Sequence, residues 1–287
     1  MKIGMVGIGL MGHGIATNLQ KHGHSLGLFE HPGNQPLDAL LSGGAKTYST
    51  LPDLAANSEL IITVLTGSPQ VEAVITGPGG LLEGRKPGTV LIDCSTSLPE
   101  STKSVSQKVV AAKGRWLDAP MTRTPKEAAE GRLNLLVGGD AVLLEEVLPV
   151  LKCFAENILH AGAVSAGHSM KLLHNYVSMG MVALLAEAAA CSARSGVSPE
   201  VFVDVLAKGG GGGIALERIK PFLLAGDVSG LRFSIANARK DLGYYGEMAA
   251  QAHAAHALAD AVTATLEFGL KAKPDGLMPE LADLLAK

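Results

Sequence analysis

The sequence contains few charged residues, and its basic residues are spread thinly along the chain. Lys and Arg number 24 against 27 Asp and Glu in 287 residues, so the formal net charge is -3. Binding to nucleic acid requires a basic patch or stripe, and no such cluster occurs in the sequence. We therefore expect a small molecule, and no nucleic acid, as the partner.

Cysteine is also scarce, which excludes a disulfide framework and a cysteine-based metal site. Cys94, Cys153 and Cys191 are far apart and form no CxxC pair. Free cysteines are usually buried, and we expect these three to be buried or partly buried free thiols. No metal ion is expected.

Long apolar runs are missing although 47% of the residues are hydrophobic. No unbroken apolar stretch reaches the length of a membrane span. The first six residues lead directly into a strand pattern and do not resemble a signal peptide. These features predict a globular, cytoplasmic protein with no membrane partner.

Strand-like and helix-like segments alternate in the first half of the chain. The strand-like segments are residues 2–6, 25–29, 60–65, 90–92, 115–117, 134–137 and 157–160. Such alternation predicts a doubly wound, mostly parallel sheet, an α/β architecture. An Ala-, Leu- and Met-rich helical pattern then covers residues 166–195, and all later segments are helical. We predict two domains: residues 1–162, and an all-α domain of residues 163–287 that begins with a long inter-domain helix.

A glycine-rich turn follows the first predicted strand and opens the first predicted helix. Gly7, Gly9 and Gly12 form a GxGxxG pattern, which is a weak signal alone but a strong one between a strand and a helix. Gly7 permits the tight turn, Gly9 lets the backbone approach a pyrophosphate, and Gly12 lets helix and strand pack closely. The helix N-terminus favours an anion. The first domain is therefore predicted to be a Rossmann dinucleotide-binding domain.

An acidic residue at the end of the next strand points to NAD. Glu30 directly follows the predicted strand 25–29, where a carboxylate can accept hydrogen bonds from the adenosine ribose. A carboxylate there repels a 2'-phosphate, and no Arg occurs in the five residues after Glu30. We expect NAD rather than NADP. The alternative is that Glu30 is a solvated surface acid.

Three polar residues share one face of the long apolar helix. Lys171, Asn175 and Ser178 fall at positions i, i+4 and i+7. Spacing alone leaves two interpretations open, an ordinary wetted stripe or part of a site. A lysine in a site can exchange a proton with a reacting oxygen, provided that its surroundings lower its pKa toward neutrality.

Several sequence blocks resemble the β-hydroxyacid dehydrogenase family, which includes 3-hydroxyisobutyrate, tartronate semialdehyde and 6-phosphogluconate enzymes. The resemblance covers nearly the whole chain and is carried by Gly7–Gly12, Asp93–Thr96, Asp118–Pro120, Gly167–Asn175 and Lys240–Leu242. It implies that Lys171 and Asn175 are catalytic, and that the protein is a homodimer or homotetramer. The cofactor contacts that it implies, besides the three glycines and Glu30, are Leu10, Met11, Leu65, Thr66, Ser95, Thr96 and Lys240.

One block departs from the family pattern. Relatives usually continue Asp-Ala-Pro with Val-Ser-Gly-Gly, whereas this chain has Met121-Thr122-Arg123-Thr124. A guanidinium suits carboxylate, sulfonate or phosphate oxygens, so Arg123 can clamp an anionic substrate; the alternative is a structural ion pair. The Arg-Thr pair resembles the subgroup that reduces sulfolactaldehyde with NADH and also acts on succinic semialdehyde.

The expected function is NAD-dependent hydride transfer to or from a small anionic 3-hydroxy acid or aldehyde. The substrate is predicted to contact Thr96, Thr122, Arg123, Ser178 and Lys240. The alternative for Lys240 is a surface lysine. Sulfolactaldehyde and succinic semialdehyde are the first candidates, and 3-hydroxyisobutyrate and tartronate semialdehyde the second. A non-catalytic NAD-binding sensor or scaffold and an imine reductase are rivals that Lys171 and Asn175 disfavour. The glycine run 209–213 is either a lid or a plain loop.

Overall fold

A computed structural model describes all 287 residues. The chain forms two compact units, Met1–Lys171 and Leu172–Lys287. The sequence placed the boundary after residue 162, ahead of the long helix, whereas the two units divide inside that helix. Its first turn therefore belongs to the N-terminal unit, together with Lys171.

The N-terminal unit contains one sheet with nine strands. These are β1 (Lys2–Val6), β2 (Ser25–Phe29), β3 (Lys46–Tyr48), β4 (Leu60–Thr63), β5 (Val90–Asp93), β6 (Arg115–Asp118), β7 (Met121–Thr122), β8 (Leu133–Gly139) and β9 (Ala155–Gly162). The strand order is β3-β2-β1-β4-β5-β6-β8-β7, and β9 pairs with β8. Strands β1 to β6 are all parallel, β8 runs antiparallel to β6 and β7, and β9 is parallel to β8. The predicted mostly parallel sheet is confirmed.

Both faces of this sheet are buried, which explains its nearly continuous apolar strands. Successive side chains of a strand point to opposite faces. Accordingly, Leu60 and Ile62 of β4 belong to one hydrophobic cluster and Ile61 to another. Strands β3 and β7 have three and two residues, too few to show a periodic pattern.

Helices connect the strands of this unit and pack on the sheet. They are α1 (Leu10–Lys21), α2 (Asp38–Ser42), α3 (Leu51–Ala56), α4 (Ser68–Thr76), α5 (Leu81–Gly84), α6 (Pro99–Ala111), α7 (Pro125–Glu130) and α8 (Ala141–Leu151). Because each parallel connection returns the chain to the same end, the carboxyl ends of β1, β4, β5 and β6 lie at one edge. Val6 pairs with Thr63, Thr63 with Asp93, and Asp93 with Asp118.

The C-terminal unit is entirely helical, as predicted. Its helices are the rest of α9 (Ala166–Arg194), then α10 (Pro199–Lys208), α11 (Ile214–Ala225), α12 (Ile235–Gln251), α13 (Ala257–Ala272) and α14 (Leu281–Ala286), with short 3-10 helices at Val228–Gly230 and Met278–Glu280. The glycine run forms the connection between α10 and α11. Its possible role as a lid stays a prediction.

Helix α9 meets the length and mean hydropathy expected of a membrane-spanning helix. Its most apolar 18 residues have a mean hydropathy of 1.5, although Ser, Gly and Glu residues interrupt the apolar run. Core helices of soluble proteins meet the same criteria, and a third of that window (33%) is buried within the protein. Length and hydropathy therefore do not assign α9 to a membrane.

Candidate active site

The glycine-rich turn has a geometry that fits a dinucleotide pyrophosphate. Gly7 has φ +90°, and a Cβ there would lie 2.1 Å from the Val64 carbonyl oxygen, so only glycine is accommodated. A Cβ on Gly9 would meet nothing within 4 Å, whereas one on Gly12 would lie 2.0 Å from the Gly7 carbonyl oxygen. Helix α1 begins after Gly9 without a side-chain cap, which leaves its first amide groups for an anion.

The residues around this turn are accessible to a ligand. Leu10, in the first turn of α1, is 65% exposed, and Met11 is partly buried. Glu30 is exposed immediately after β2. It helps to line an open cavity of about 320 Å³, together with His31, Pro32, Asn34 and Leu37. An adenosine bound at this edge would meet the Glu30 carboxylate.

Asn34, which the sequence did not single out, connects this cavity to the glycine-rich turn. Its Oδ1 accepts a hydrogen bond from the Ile8 amide at 3.3 Å, and its Nδ2 donates to the Phe29 carbonyl at 3.0 Å. The loop after β2 is thus held against the turn after β1. An Asn in a short loop after a strand is the only sequence signal for this role.

The loops after β4 and β5 are joined by hydrogen bonds at the same edge of the sheet. The Leu65 amide donates to Ser95 Oγ at 2.8 Å, and the Ser95 amide donates to Asp93 Oδ1 at 3.0 Å. Ser95 is buried, whereas Thr66 is exposed and Thr96 is half-buried. The structure therefore brings the predicted cofactor residues of these two loops together.

Asn175 is held in one orientation by a buried carboxylate of the C-terminal unit. It is 4% exposed, and its Nδ2 donates to Asp241 Oδ2 at 2.6 Å. Its Oδ1 lies 3.0 Å from His174 Nδ1, so the two neighbouring side chains contact each other. Helix α9 is continuous, which places Lys171 one turn before Asn175 and Ser178 nearly one turn after it.

Lys240 also contacts Asp241. Its Nζ lies 2.8 Å from Asp241 Oδ1 and 5.2 Å from the centre of the Tyr244 ring, and its side chain is 24% exposed. It is therefore not a fully solvated lysine. Asp241, only 3% exposed, serves both Asn175 and Lys240. We missed this role because the sequence shows Asp241 only as the middle residue of Lys240-Asp241-Leu242.

Thr122 lies in a chain of side-chain hydrogen bonds across three strands. Asn134 Nδ2 donates to Thr122 Oγ1 at 3.0 Å, and Asn157 Nδ2 donates to Asn134 Oδ1 at 2.9 Å. Because Thr122 Oγ1 already accepts a hydrogen bond, its own hydroxyl hydrogen remains available to donate. This arrangement suits the predicted contact with an oxygen of the substrate.

Arg123 makes an ion pair within the N-terminal unit. Its Nη1 contacts Glu156 Oε2 and the Arg132 carbonyl oxygen, so the ion-pair alternative considered for this residue is present. Both contacts use Nη1 alone, which leaves Nε and Nη2 as donors for an anion. Arg123 also has φ +81°, a left-handed conformation that a side chain disfavours. The backbone at Arg123 thus has a conformation that glycine adopts freely.

The three cysteines take no part in these contacts. Cys94 and Cys153 are buried, and burial raises the pKa of both thiols. Cys191 is exposed, which corrects the expectation that all three would be at least partly buried. The chain contains no group of three or more His, Cys, Asp or Glu side chains that could hold a metal ion.

Two family models match the chain, one for each part. The model described as the NAD binding domain of 6-phosphogluconate dehydrogenase matches residues 2–162. The model described as NAD-binding of NADP-dependent 3-hydroxyisobutyrate dehydrogenase matches residues 165–276. Together they cover most of the chain and include the glycine-rich turn, Lys171, Asn175 and Lys240.

Individual relatives are similar over most of their length. The chain is 35% identical over 245 residues to 2-(hydroxymethyl)glutarate dehydrogenase of Eubacterium barkeri, covering 85% of this chain and 80% of the relative. It is 32% identical over 252 residues to 3-sulfolactaldehyde reductase of Escherichia coli, covering 88% and 84%. Mycobacterium tuberculosis 3-hydroxyisobutyrate dehydrogenase, solved with L-serine, has a TM-score of 0.89 at 26% identity, covering 100% and 99%.

Proposed function

Because the chain belongs to the β-hydroxyacid dehydrogenase family, we propose that it interconverts a small anionic 3-hydroxy acid and the corresponding aldehyde. It is an oxidoreductase with binding domains for a nicotinamide dinucleotide, and bound nicotinamide supplies or accepts the hydride. One observation carries the proposal beyond the family. A catalytic-type amide, Asn175, is buried and oriented by Asp241 one helical turn after Lys171.

The Lys171 ammonium is the proposed proton donor in the reducing direction. When a carbonyl becomes an alcohol, its oxygen needs a proton, and the same group must take that proton back in oxidation. Asn175 keeps the second hydrogen of its Nδ2 for the reacting oxygen, since only one is used by Asp241. A binding module without turnover has no need for this oriented pair.

The anionic part of the substrate is proposed to contact the end of β7 and the residue that follows it. Thr122 has a hydroxyl hydrogen to donate, and Arg123 has Nε and Nη2. Thr96, Ser178 and Lys240 complete the proposed substrate contacts. Relatives named for sulfolactaldehyde and 2-(hydroxymethyl)glutarate support a substrate with a negative charge remote from the reacting carbon.

NAD is the proposed cofactor, and NADP the less favoured one. The support is the exposed Glu30 carboxylate at the cavity beside β2, where a 2'-phosphate would be repelled. No Arg or Lys lines that cavity to offset the repulsion.

A substrate panel and one variant test the proposal. We expect turnover with NADH on at least one of sulfolactaldehyde, succinic semialdehyde, 2-formylglutarate, tartronate semialdehyde and the aldehyde formed by oxidising 3-hydroxyisobutyrate. We expect Lys171→Ala to bind NADH with unchanged affinity, measured by fluorescence titration, while kcat falls at least about a hundredfold. Full turnover by Lys171→Ala, or activity confined to imines, would contradict the proposal.

We further propose that the protein assembles as a homodimer or homotetramer. Val177, Met181 and Leu184 recur at spacings of four and three residues along α9 and are 57%, 43% and 69% exposed. Such spacing forms one apolar stripe on a helix, a surface suited to a second copy of the same helix. The cytoplasmic location and the absence of membrane and nucleic-acid partners stay predictions.

A further inference from the structure

A buried carboxylate from the sheet caps the helix that carries Lys171. Helix α9 begins at Ala166, so the first amide groups have no partner within the helix. Asp118, the last residue of β6, accepts the Ser165 amide through Oδ1 at 2.8 Å and the His168 amide through Oδ2 at 3.0 Å. Asp118 is completely buried. Asp118 therefore acts as an N-cap of α9, although it lies in β6 and not beside the helix in sequence.

His168 connects the same helical turn to the loop after β5. Its ring is completely buried, with Nε2 3.2 Å from the Ser95 carbonyl oxygen and Nδ1 2.8 Å from Thr102 Oγ1. A carbonyl only accepts, so Nε2 carries a hydrogen in this contact. Asp93 Oδ2, which is buried and has no hydrogen-bond partner, lies 3.7 Å from Nε2.

The backbone at this turn is tightly constrained. Ser165 has φ +76°, in the left-handed region. A Cβ on Gly167 would lie 2.3 Å from the Leu136 carbonyl oxygen and 2.8 Å from Asp118 Oδ2. The strained backbone of Ser165 and the tight packing of Gly167 persist only because the surrounding structure enforces them. Such strained positions concentrate at functional sites.

We propose that Asp118 and His168 are positioning residues that set Lys171 relative to the Ser95 loop. Lys171 follows His168 by three residues, so both lie on neighbouring positions of one helix face. Ser95 in turn holds the Leu65 amide, and both residues are predicted cofactor contacts. Hydrogen bonds thus join the loops of these residues to the helical turn that carries His168, three residues before the proposed proton donor. This inference rests on the proposed function, since it assumes that Lys171 transfers the proton.

Variants of Thr102 test the network with little disturbance of the fold. Thr102→Val removes the hydroxyl that binds His168 and keeps the shape, whereas Thr102→Ser keeps the hydroxyl. Thr102 Oγ1 also lies 3.0 Å from the Leu98 carbonyl oxygen four residues earlier, and Thr76 Oγ1 in α4 makes the same kind of contact, so Thr76→Val is the matched control for that contact. We expect Thr102→Val and His168→Gln to lower kcat about tenfold, since small displacements of a reacting group are costly. Thr102→Ser should restore kcat.

Making Thr102→Val and His168→Gln in a Lys171→Ala background distinguishes an effect on the position of Lys171 from a general loss of stability. If the network acts through Lys171, adding His168→Gln to Lys171→Ala should not lower the residual rate of Lys171→Ala further. The KM for NADH should stay within about twofold of the wild-type value in all variants. Amide hydrogen exchange of residues 165–171 should accelerate in His168→Gln, which gives a readout without activity.

The inference would be overturned if kcat were unchanged in both Thr102→Val and His168→Gln. It would also be overturned if His168→Gln lowered the rate equally with and without Lys171. If the residual rate of Lys171→Ala is too low to measure, unchanged amide exchange in His168→Gln would overturn it. Normal turnover by Lys171→Ala alone would instead defeat the proposed function. The two failures are therefore distinguishable.

Discussion

Replacing Arg123 separates the ion pair that its side chain makes from its proposed contact with the substrate. Its Nη1 pairs with Glu156, and its Nε and Nη2 are proposed to bind the substrate anion. Its backbone is also held at φ +81°. Changing the residue to Ala removes both contacts and leaves the backbone strained, whereas changing it to Gly removes the contacts and the strain together.

The two Arg123 variants should differ measurably in stability. The ion pair is partly exposed, 27% for Arg123 and 46% for Glu156, so its loss should lower the free energy of unfolding by about 0.2–1 kcal/mol. Arg123→Gly should be about 1 kcal/mol more stable than Arg123→Ala, because glycine adopts the left-handed region freely. In a domain of this size that difference corresponds to about 2–4 °C in Tm.

The effect on catalysis should be larger than the effect on stability. A hydrogen bond to a charged group contributes about 1.5–3 kcal/mol, so both variants should lose about ten- to a hundredfold in kcat/KM for the anionic aldehyde. A neutral aldehyde of similar size should lose much less.

Glu156→Gln is the control, because it weakens the ion pair but keeps the guanidinium. It should share the small stability loss of Arg123→Ala and keep the preference for anions. If Arg123→Ala leaves the ratio of anionic to neutral kcat/KM unchanged, Arg123 is a structural residue only and the reasoning fails.

Three further predictions concern the cofactor, pH and assembly. Glu30→Gln should raise kcat/KM for NADPH relative to NADH by about tenfold, measured with both cofactors, and an unchanged ratio would show that Glu30 is a surface acid. The Leu277 amide and Lys273 lower the pKa of Glu280, so its stabilising effect is present above its ordinary pKa and is lost as pH falls through the lowered one. The Tm difference between wild type and Glu280→Gln should therefore shrink below about pH 4, and a constant difference would contradict this. Leu184→Glu should reduce the molecular mass measured by light scattering to that of the monomer; an unchanged mass would exclude this stripe as the interface.

The sequence predicted the fold well because the fold follows from local patterns. Apolar runs of strand length, separated by helical spacing, are enough to indicate a parallel sheet that is buried on both faces. The glycine-rich turn was equally predictable. A side chain on Gly7 or Gly12 would clash with backbone that the turn of a Rossmann fold brings close. Strands β3 and β7 were missed because two or three residues show no period.

Side-chain partners were harder to predict because they depend on topology. Asn175 and Asp241 are 66 residues apart, as are Thr102 and His168. No local spacing connects such pairs. A partial signal was present at the strand ends, where buried strands finish on Asp93 and Asp118. A charged residue at the end of a buried strand must find partners, so it indicates a polar network even when the partners are unknown.

This difference explains which site residues a sequence reveals. A residue predicted to bind a ligand through the backbone, such as Gly7, must satisfy a steric condition, and this condition leaves a motif in the sequence. Lys171 leaves a weaker trace, because an amine on a helix looks the same whether it faces solvent or a substrate. What distinguishes it is the support behind it: Asp118 holds the start of its helix, and His168 ties that turn to the cofactor loops. A surface lysine needs no such support, so the buried carboxylate and ring at the start of α9 add to the support that the oriented Asn175 gives to the proposed role of Lys171.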